Sequence, residues 1–106
     1  MSSPSAERSV LLVTRDLFFR AKLDGCVAAA GAKVVRAEPA DLAVIELAAE
    51  VDVERVRELA ARGVPVIAFT SHVRVELLRA AREAGATAVP NSEVEATLRA
   101  CLTADG

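Results

Sequence analysis

Several side chains that could take part in chemistry stand at the ends of strand-like apolar runs. Asp16 follows the first of these runs, Glu46 ends a second, and Thr70 ends a third, with Ser71 and His72 directly after it. The carboxyl edge of a parallel sheet is where α/β proteins form their ligand sites. A crevice that contains these five residues could therefore serve a small enzyme or a ligand-binding domain.

Each of these residues also has a structural explanation. Asp16 stands where a helix N-cap would be, and that position alone accounts for an acid there. Thr70 fits a strand-end hydroxyl, and His72 has no evident nucleophile partner. The first strand is not followed by a glycine-rich phosphate loop, because residues 14–17 contain no glycine. Glu46 is therefore the sharpest functional candidate.

The composition excludes several classes of protein. A chain of 106 residues and 11.1 kDa suits one compact domain. Hydrophobic residues make up 53% and charged residues 26%, which predicts a folded chain. Thirteen Lys and Arg against fifteen Asp and Glu leave a net charge of −2, so the basic surface of a nucleic-acid-binding protein is missing. We expect no nucleic-acid partner.

The sequence also predicts a soluble cytoplasmic protein with no membrane partner. Charged residues interrupt the apolar stretches before the roughly 18 residues that a membrane span needs. Residues 1–8 lack the charged and apolar regions of a signal peptide. Cys26 and Cys101 have no metal-binding spacing, which predicts two reduced core cysteines. No cofactor and no metal ion are predicted.

The apolar pattern predicts strands that alternate with helices. Strands are predicted over residues 10–13, 33–36, 41–46, 65–70 and 86–89. Helices are predicted over 17–30, around 53–60, after an N-cap at Ser71, and after a capping box at Ser92–Glu95. We expect one α/β domain over residues 10–106, with a doubly wound parallel sheet and a disordered lead-in over residues 1–9.

Four segments, in order, resemble the receiver domain of bacterial two-component response regulators. They are Ala30–Val34 for A-G-x-x-V, Asp41–Leu47 for the D-L-V-L-L-D-L strand, Pro65–Ser71 for P-V-I-x-L-T-A, and Ala84–Ala86 for A-G-A. The resemblance implies the flavodoxin-like strand order 2-1-3-4-5. It also implies a phosphoacceptor at Glu46 and a switch hydroxyl at Thr70.

The chain departs from this pattern at the residues that receivers use for phosphorylation. The acidic positions that hold Mg²⁺ carry Thr14 and Arg15, so that only Asp16 remains. A phosphoryl group needs a cation to approach a carboxylate. Glu46 is one methylene longer than the family's Asp, which displaces the carboxylate from in-line geometry. The strand-five Lys is also missing, and Asn91 stands in that stretch.

These departures favour a degenerate receiver, or pseudo-receiver, that acts through protein–protein interactions, is not phosphorylated and is not an enzyme. One alternative is a ligand-binding or enzymatic domain that uses the crevice at Asp16, Glu46, Thr70 and His72. Another is a receiver that is phosphorylated at Glu46. We also expect the Arg15 guanidinium to pair with Glu46 where Mg²⁺ bridges the acids of a receiver.

The second helix of a receiver is missing or vestigial. Only Ala37–Ala40 separate the predicted second and third strands. The five steps from Ala37 to Leu42 reach only about 17 Å, whereas a return along a five-residue strand and across two strand spacings needs roughly 20 Å. The second strand is then very short, pairs antiparallel, or is exchanged with another molecule. In each case we expect an apolar sheet face without a cover, and hence a homodimer or a tight protein complex.

Overall fold

The computed structural model describes residues 8–103. The strands are β1 (Ser9–Val13), β2 (Lys33–Val35), β3 (Leu42–Glu46), β4 (Val66–Thr70) and β5 (Thr87–Pro90). The helices are α1 (Leu17–Ala29), α2 (Glu50–Ala61), α3 (Val75–Glu83) and α4 (Val94–Thr103), with a 3₁₀ turn at Asn91–Glu93 before α4. The predicted lead-in falls almost wholly on residues 1–7, outside the described part, and Ser9 belongs to β1.

The five strands form one parallel sheet in the order β2-β1-β3-β4-β5. The predicted fold class and strand order are therefore confirmed. The central strands β3 and β4 are almost continuously apolar because helices cover both of their faces. No helix within residues 8–103 is long and apolar enough to cross a membrane.

The core consists of two apolar layers, one on each side of the sheet. On one side, α1 and α4 cover Val10, Val44 and Phe69 together with their neighbours. On the other side, α2 and α3 cover a second set that includes Leu11 and Ile45. This arrangement places β1 and β3 in the middle of the molecule, with their carboxyl ends side by side.

The two cysteines lie in the α1/α4 layer, as predicted. Both are free thiols; Cys26 is buried, and Cys101 is half-buried and packs against the same cluster. Burial raises the pKa of the Cys26 thiol. These positions match core cysteines.

Two predicted helix caps are wrong. Helix α3 begins at Val75, because Ser71 instead closes a turn in which its carbonyl accepts from the Arg74 N–H at 2.9 Å. Ser92 lies inside the 3₁₀ turn that precedes α4, so the predicted capping box does not form. A serine satisfies a turn as readily as a helix end, and the local sequence does not distinguish the two.

The connection from β2 to β3 contains no helix, as predicted. Strand β2 has three residues and pairs parallel with β1, so the first of the three alternatives holds. The first residue of β2 and the residue before β3 are both hydrogen-bonded to the chain where β1 begins. The Lys33 N–H donates to the Arg8 carbonyl and the Asp41 N–H to the Ser9 carbonyl, each at 2.9 Å. Because β2 has only three residues, the chain has only a short distance to cover from the end of β2 back to the start of β3, and the few connecting residues can span it.

The sheet face beneath the missing helix is covered, so the prediction of a bare apolar face is wrong. Leu11, Ala43 and Ile45 are at most 1% exposed. Helix α2 packs on them, and Ala40 from the β2–β3 connection packs against the same cluster. Val13, farther along β1, is only half-buried.

Candidate functional site

The carboxyl ends of β1 and β3 bring Thr14 and Glu46 together. Val13 pairs with Ile45 in the sheet register, which sets the next residues of both strands side by side. Glu46 Oε1 accepts a hydrogen bond from the Thr14 hydroxyl at 2.7 Å and another from the Arg15 N–H at 3.0 Å. The Glu46 carboxylate is thus held by the turn that follows β1.

The same turn fixes the start of α1. The Asp16 N–H donates to Thr14 Oγ1 at 3.1 Å, and Asp16 Oδ1 accepts from the N–H groups of Phe18 and Phe19 at 2.9 and 3.1 Å. Asp16 is therefore the N-cap of α1, as its structural explanation predicted. Thr14 is 8% exposed and links this cap to Glu46.

The predicted pair between the Arg15 guanidinium and Glu46 is wrong. Within residues 8–103, no ion pair joins these side chains, and the contact is made by the Arg15 backbone N–H. The reason is geometric, because a residue that donates its N–H from a tight turn need not direct its own side chain toward the same acceptor. The Arg15 side chain is exposed and lines a groove described below.

The residues at this site do not fit the Mg²⁺ ion that receivers bind. Among residues 8–103, no group of three His, Cys, Asp or Glu side chains could hold a metal ion. Asp16 and Glu46 supply the carboxylates that are hydrogen-bonded into the turn after β1. Asp16 caps α1, and Glu46 accepts from protein donors. The guanidinium at position 15 is a cation without an acceptor atom, and the hydroxyl at position 14 brings no negative charge.

The other predicted site residues do not join this network. Thr70 ends β4 and is 6% exposed. Asn91 begins the 3₁₀ turn after β5, and His72 is exposed in the turn before α3. Within the described residues, no side-chain hydrogen bond joins these three to Thr14 or Glu46. Within the described residues, the hydrogen-bonded site therefore joins the ends of β1 and β3 and does not extend to Thr70, His72 or Asn91.

Two residues that the sequence analysis missed position the loop after β3. Asp52 Oδ2 accepts from the N–H groups of Ala48 and Ala49 at 2.7 and 2.9 Å. Arg74 donates to the Ala48 carbonyl at 3.2 Å. An acid at the third position of a helix is one half of a capping box, and this signal could have identified Asp52. The Arg74 contact spans separate elements and has no local signal.

A groove of about 520 Å³ opens beside this site, on the side of the missing helix. It extends from Thr14, Arg15 and Glu46 along α2 to Arg62. Arg62 donates two hydrogen bonds to Glu38 from the β2–β3 connection, at 2.6 and 3.0 Å, which lowers the pKa of Glu38. Glu58 stands four residues before Arg62, a spacing that favours an ion pair within the helix, but Arg62 binds Glu38 instead.

The groove is not the crevice predicted from the sequence. Glu46 lines it, whereas Asp16, Thr70, Ser71 and His72 do not. The wall formed by α2 presents Val51 and a series of charged side chains, namely Asp52, Glu54, Arg55, Glu58 and Arg62. A wall of this kind is an open, charged surface, unlike the mostly apolar lining of a small-molecule pocket.

A scan against models of protein families and a search of curated proteins found no match. Solved structures do match. The crystal structure of NtrX from Brucella abortus superposes with a TM-score of 0.70 at 13% identity, over 93% of this chain and 28% of that chain. The solution structure of a response regulator from Burkholderia multivorans superposes with a TM-score of 0.64 at 24% identity, over 92% of this chain and 95% of that chain.

These similarities agree with the observed order of elements. The parallel sheet, its strand order and the two helical layers are those expected from the resemblance in sequence. This chain corresponds to 28% of the length of the NtrX chain. The chain has the fold of response-regulator receiver domains.

Proposed function

We propose that the chain is a receiver-like signalling module of the cytoplasm that acts by protein–protein interaction and is not phosphorylated. The observation that carries this proposal is the state of Glu46. Its Oε1 atom accepts hydrogen bonds from the Thr14 hydroxyl and the Arg15 N–H. The carboxylate is a structural acceptor within the protein, and we infer that it is not a nucleophile.

The donor set of the site supports this proposal. Transfer of a phosphoryl group to a carboxylate brings negative charges together, and the transfer requires cations to neutralise them. Thr14 and Arg15 replace acids that would bind Mg²⁺. Asn91 or Ser92 stands where a receiver has the Lys that neutralises phosphoryl oxygens, and neither side chain carries a charge. The site therefore lacks both the acids that would bind Mg²⁺ and the lysine that would neutralise the phosphoryl oxygens.

The proposal is tested by incubation with acetyl phosphate and Mg²⁺, followed by intact-mass spectrometry. A phosphorylatable receiver in the same reaction is the positive control. We expect the mass of this protein to stay unchanged. A gain of one phosphoryl group that disappears in Glu46→Gln would overturn the proposal and establish Glu46 as a phosphoacceptor.

We further propose that the module forms a homodimer. Although α2 covers the apolar sheet face, Val13 and Val51 line the groove, where Val13 is half-buried and Val51 is 67% exposed. Apolar side chains gathered at one open groove favour association. Sedimentation at micromolar concentration measures the state directly. A species of 11.1 kDa, the mass of one chain, would contradict this part of the proposal.

A further inference from the structure

Helix α2 presents a regular stripe of side chains to the groove. Val51, Arg55, Glu58 and Arg62 follow one another at intervals of four, three and four residues, which places them on one face of the helix. All four line the groove and all are exposed. This stripe lies beside the space that the missing helix leaves open.

Most charges around the groove already have partners. Glu38 is bound to Arg62, Glu54 forms an ion pair with Arg57, and Asp52 accepts from the backbone of the β3–α2 loop. Arg55 and Glu58 differ. Within residues 8–103 neither makes an ion pair or a side-chain hydrogen bond, and their charges act only at longer range, on Glu38 and Arg62.

We propose that the groove receives α2 of a second copy of this chain, packed antiparallel about a twofold axis. This proposal rests on the homodimer proposed above and assigns its interface. In an antiparallel pair centred between Val56 and Arg57, Arg55 of each copy faces Glu58 of the other. The twofold axis makes two identical ion pairs from the two stripe residues that form none in the monomer, within residues 8–103.

Charge complementarity favours a second copy over an unrelated partner. The stripe carries one free positive and one free negative charge, three residues apart, which is about 4.5 Å along the helix. A uniformly acidic or uniformly basic segment would attract one of these charges and repel the other. A copy in the opposite direction satisfies both.

The same arrangement covers the exposed apolar end of the stripe. With Arg55 opposite Glu58 of the other copy, Val51 falls opposite Arg62. The aliphatic stem of an arginine packs on an apolar side chain while its charged end stays in water. The Arg62 head is bound to Glu38, which leaves its stem in place along the groove.

Charge reversal provides the test, with sedimentation and native mass spectrometry as readouts. Arg55→Glu places two acids opposite each other at both of the proposed ion pairs, and Glu58→Arg places two bases there. We expect each single variant to dimerise at least about tenfold more weakly than the native chain. The double variant Arg55→Glu/Glu58→Arg restores both pairs and recovers the dimer. Equal amounts of the two single variants form a mixed dimer.

Arg79→Glu is the matched control. Arg79 is exposed on α3, does not line the groove, and undergoes the same change of charge. We expect it to dimerise like the native chain. Circular dichroism verifies that every variant is folded.

The outcomes separate this inference from the proposals on which it rests. A native dimer that tolerates both single reversals has its interface elsewhere, which overturns the inference and leaves the homodimer standing. A mixture of single variants that stays monomeric also overturns the inference. A native chain that is monomeric overturns both the interface and the homodimer. None of these results affects the test of phosphorylation.

Discussion

Removal of the Thr14 hydroxyl tests the hydrogen-bond network at the ends of β1 and β3. Thr14→Val keeps the shape of the side chain and deletes the group that donates to Glu46 and accepts from the Asp16 N–H. Thr14 is 8% exposed, so water cannot fully replace these partners. We therefore expect the variant to fold and to lose stability.

The expected loss is about 2 kcal/mol. A hydrogen bond to a charged group contributes about 1.5 to 3 kcal/mol, and the bond from Thr14 to Glu46 is of this kind. Glu46 keeps the Arg15 N–H as a donor, so the carboxylate is not left without a partner and the lower part of the range applies. With a urea m-value of about 1.5 kcal/mol/M, the midpoint moves by roughly 1.3 M.

Urea unfolding measures this shift, with Thr14→Ser as the matched control. The serine keeps the hydroxyl and loses one methyl group, for which we expect a cost of about 0.8 kcal/mol. A double-mutant cycle with Glu46→Ala, which removes the acceptor, isolates the contact, and we expect a coupling above about 0.5 kcal/mol. A valine variant as stable as the serine variant, or a coupling near zero, would refute the reasoning.

Two further predictions concern the backbone and the core. Gly85→Ala is expected to destabilise the fold more than Gly31→Ala, because the new Cβ would meet the Ala60 Cβ at 2.8 Å, whereas Gly31 faces open space. Both substitutions carry the strain of a positive φ, about 1 to 2 kcal/mol, so equal losses in thermal unfolding would contradict the steric argument. Cys26 is expected to react with thiol reagents more slowly than Cys101 in the native protein, because burial raises its pKa. Rapid native-state labelling of Cys26 would disprove its burial.

The strands were predictable from their apolar runs, and their order was predictable from the resemblance of the sequence to receiver domains. A run such as Val10–Val13, apolar at every position, suits a strand covered on both faces, and no other common element needs that pattern at that length. The missing second helix was also predictable, since the segment between the second and third strands is too short for one. The cap at Asp16 followed from its position before an amphipathic helix.

Contacts between distant residues were harder to predict. Arg15 was expected to use its guanidinium toward Glu46, but the turn offers the backbone N–H instead. Arg62 has Glu58 four residues before it on the same helix, but it binds Glu38 from another element. A charged side chain chooses among several partners of similar energy, and the fold decides which of them is within reach.

The sequence by itself determined which chemical groups reach the carboxyl edge of the sheet. A threonine, an arginine and a lengthened carboxylate stand where receivers place acids, and this argues against a receiver's metal site whatever the packing. Only the tertiary structure decided that Thr14 satisfies Glu46, that α2 covers the sheet face, and that a charged groove remains beside it. The physical reason is that residue type limits what a group can bind, whereas distance and burial, set by the packing of remote elements, determine what it does bind.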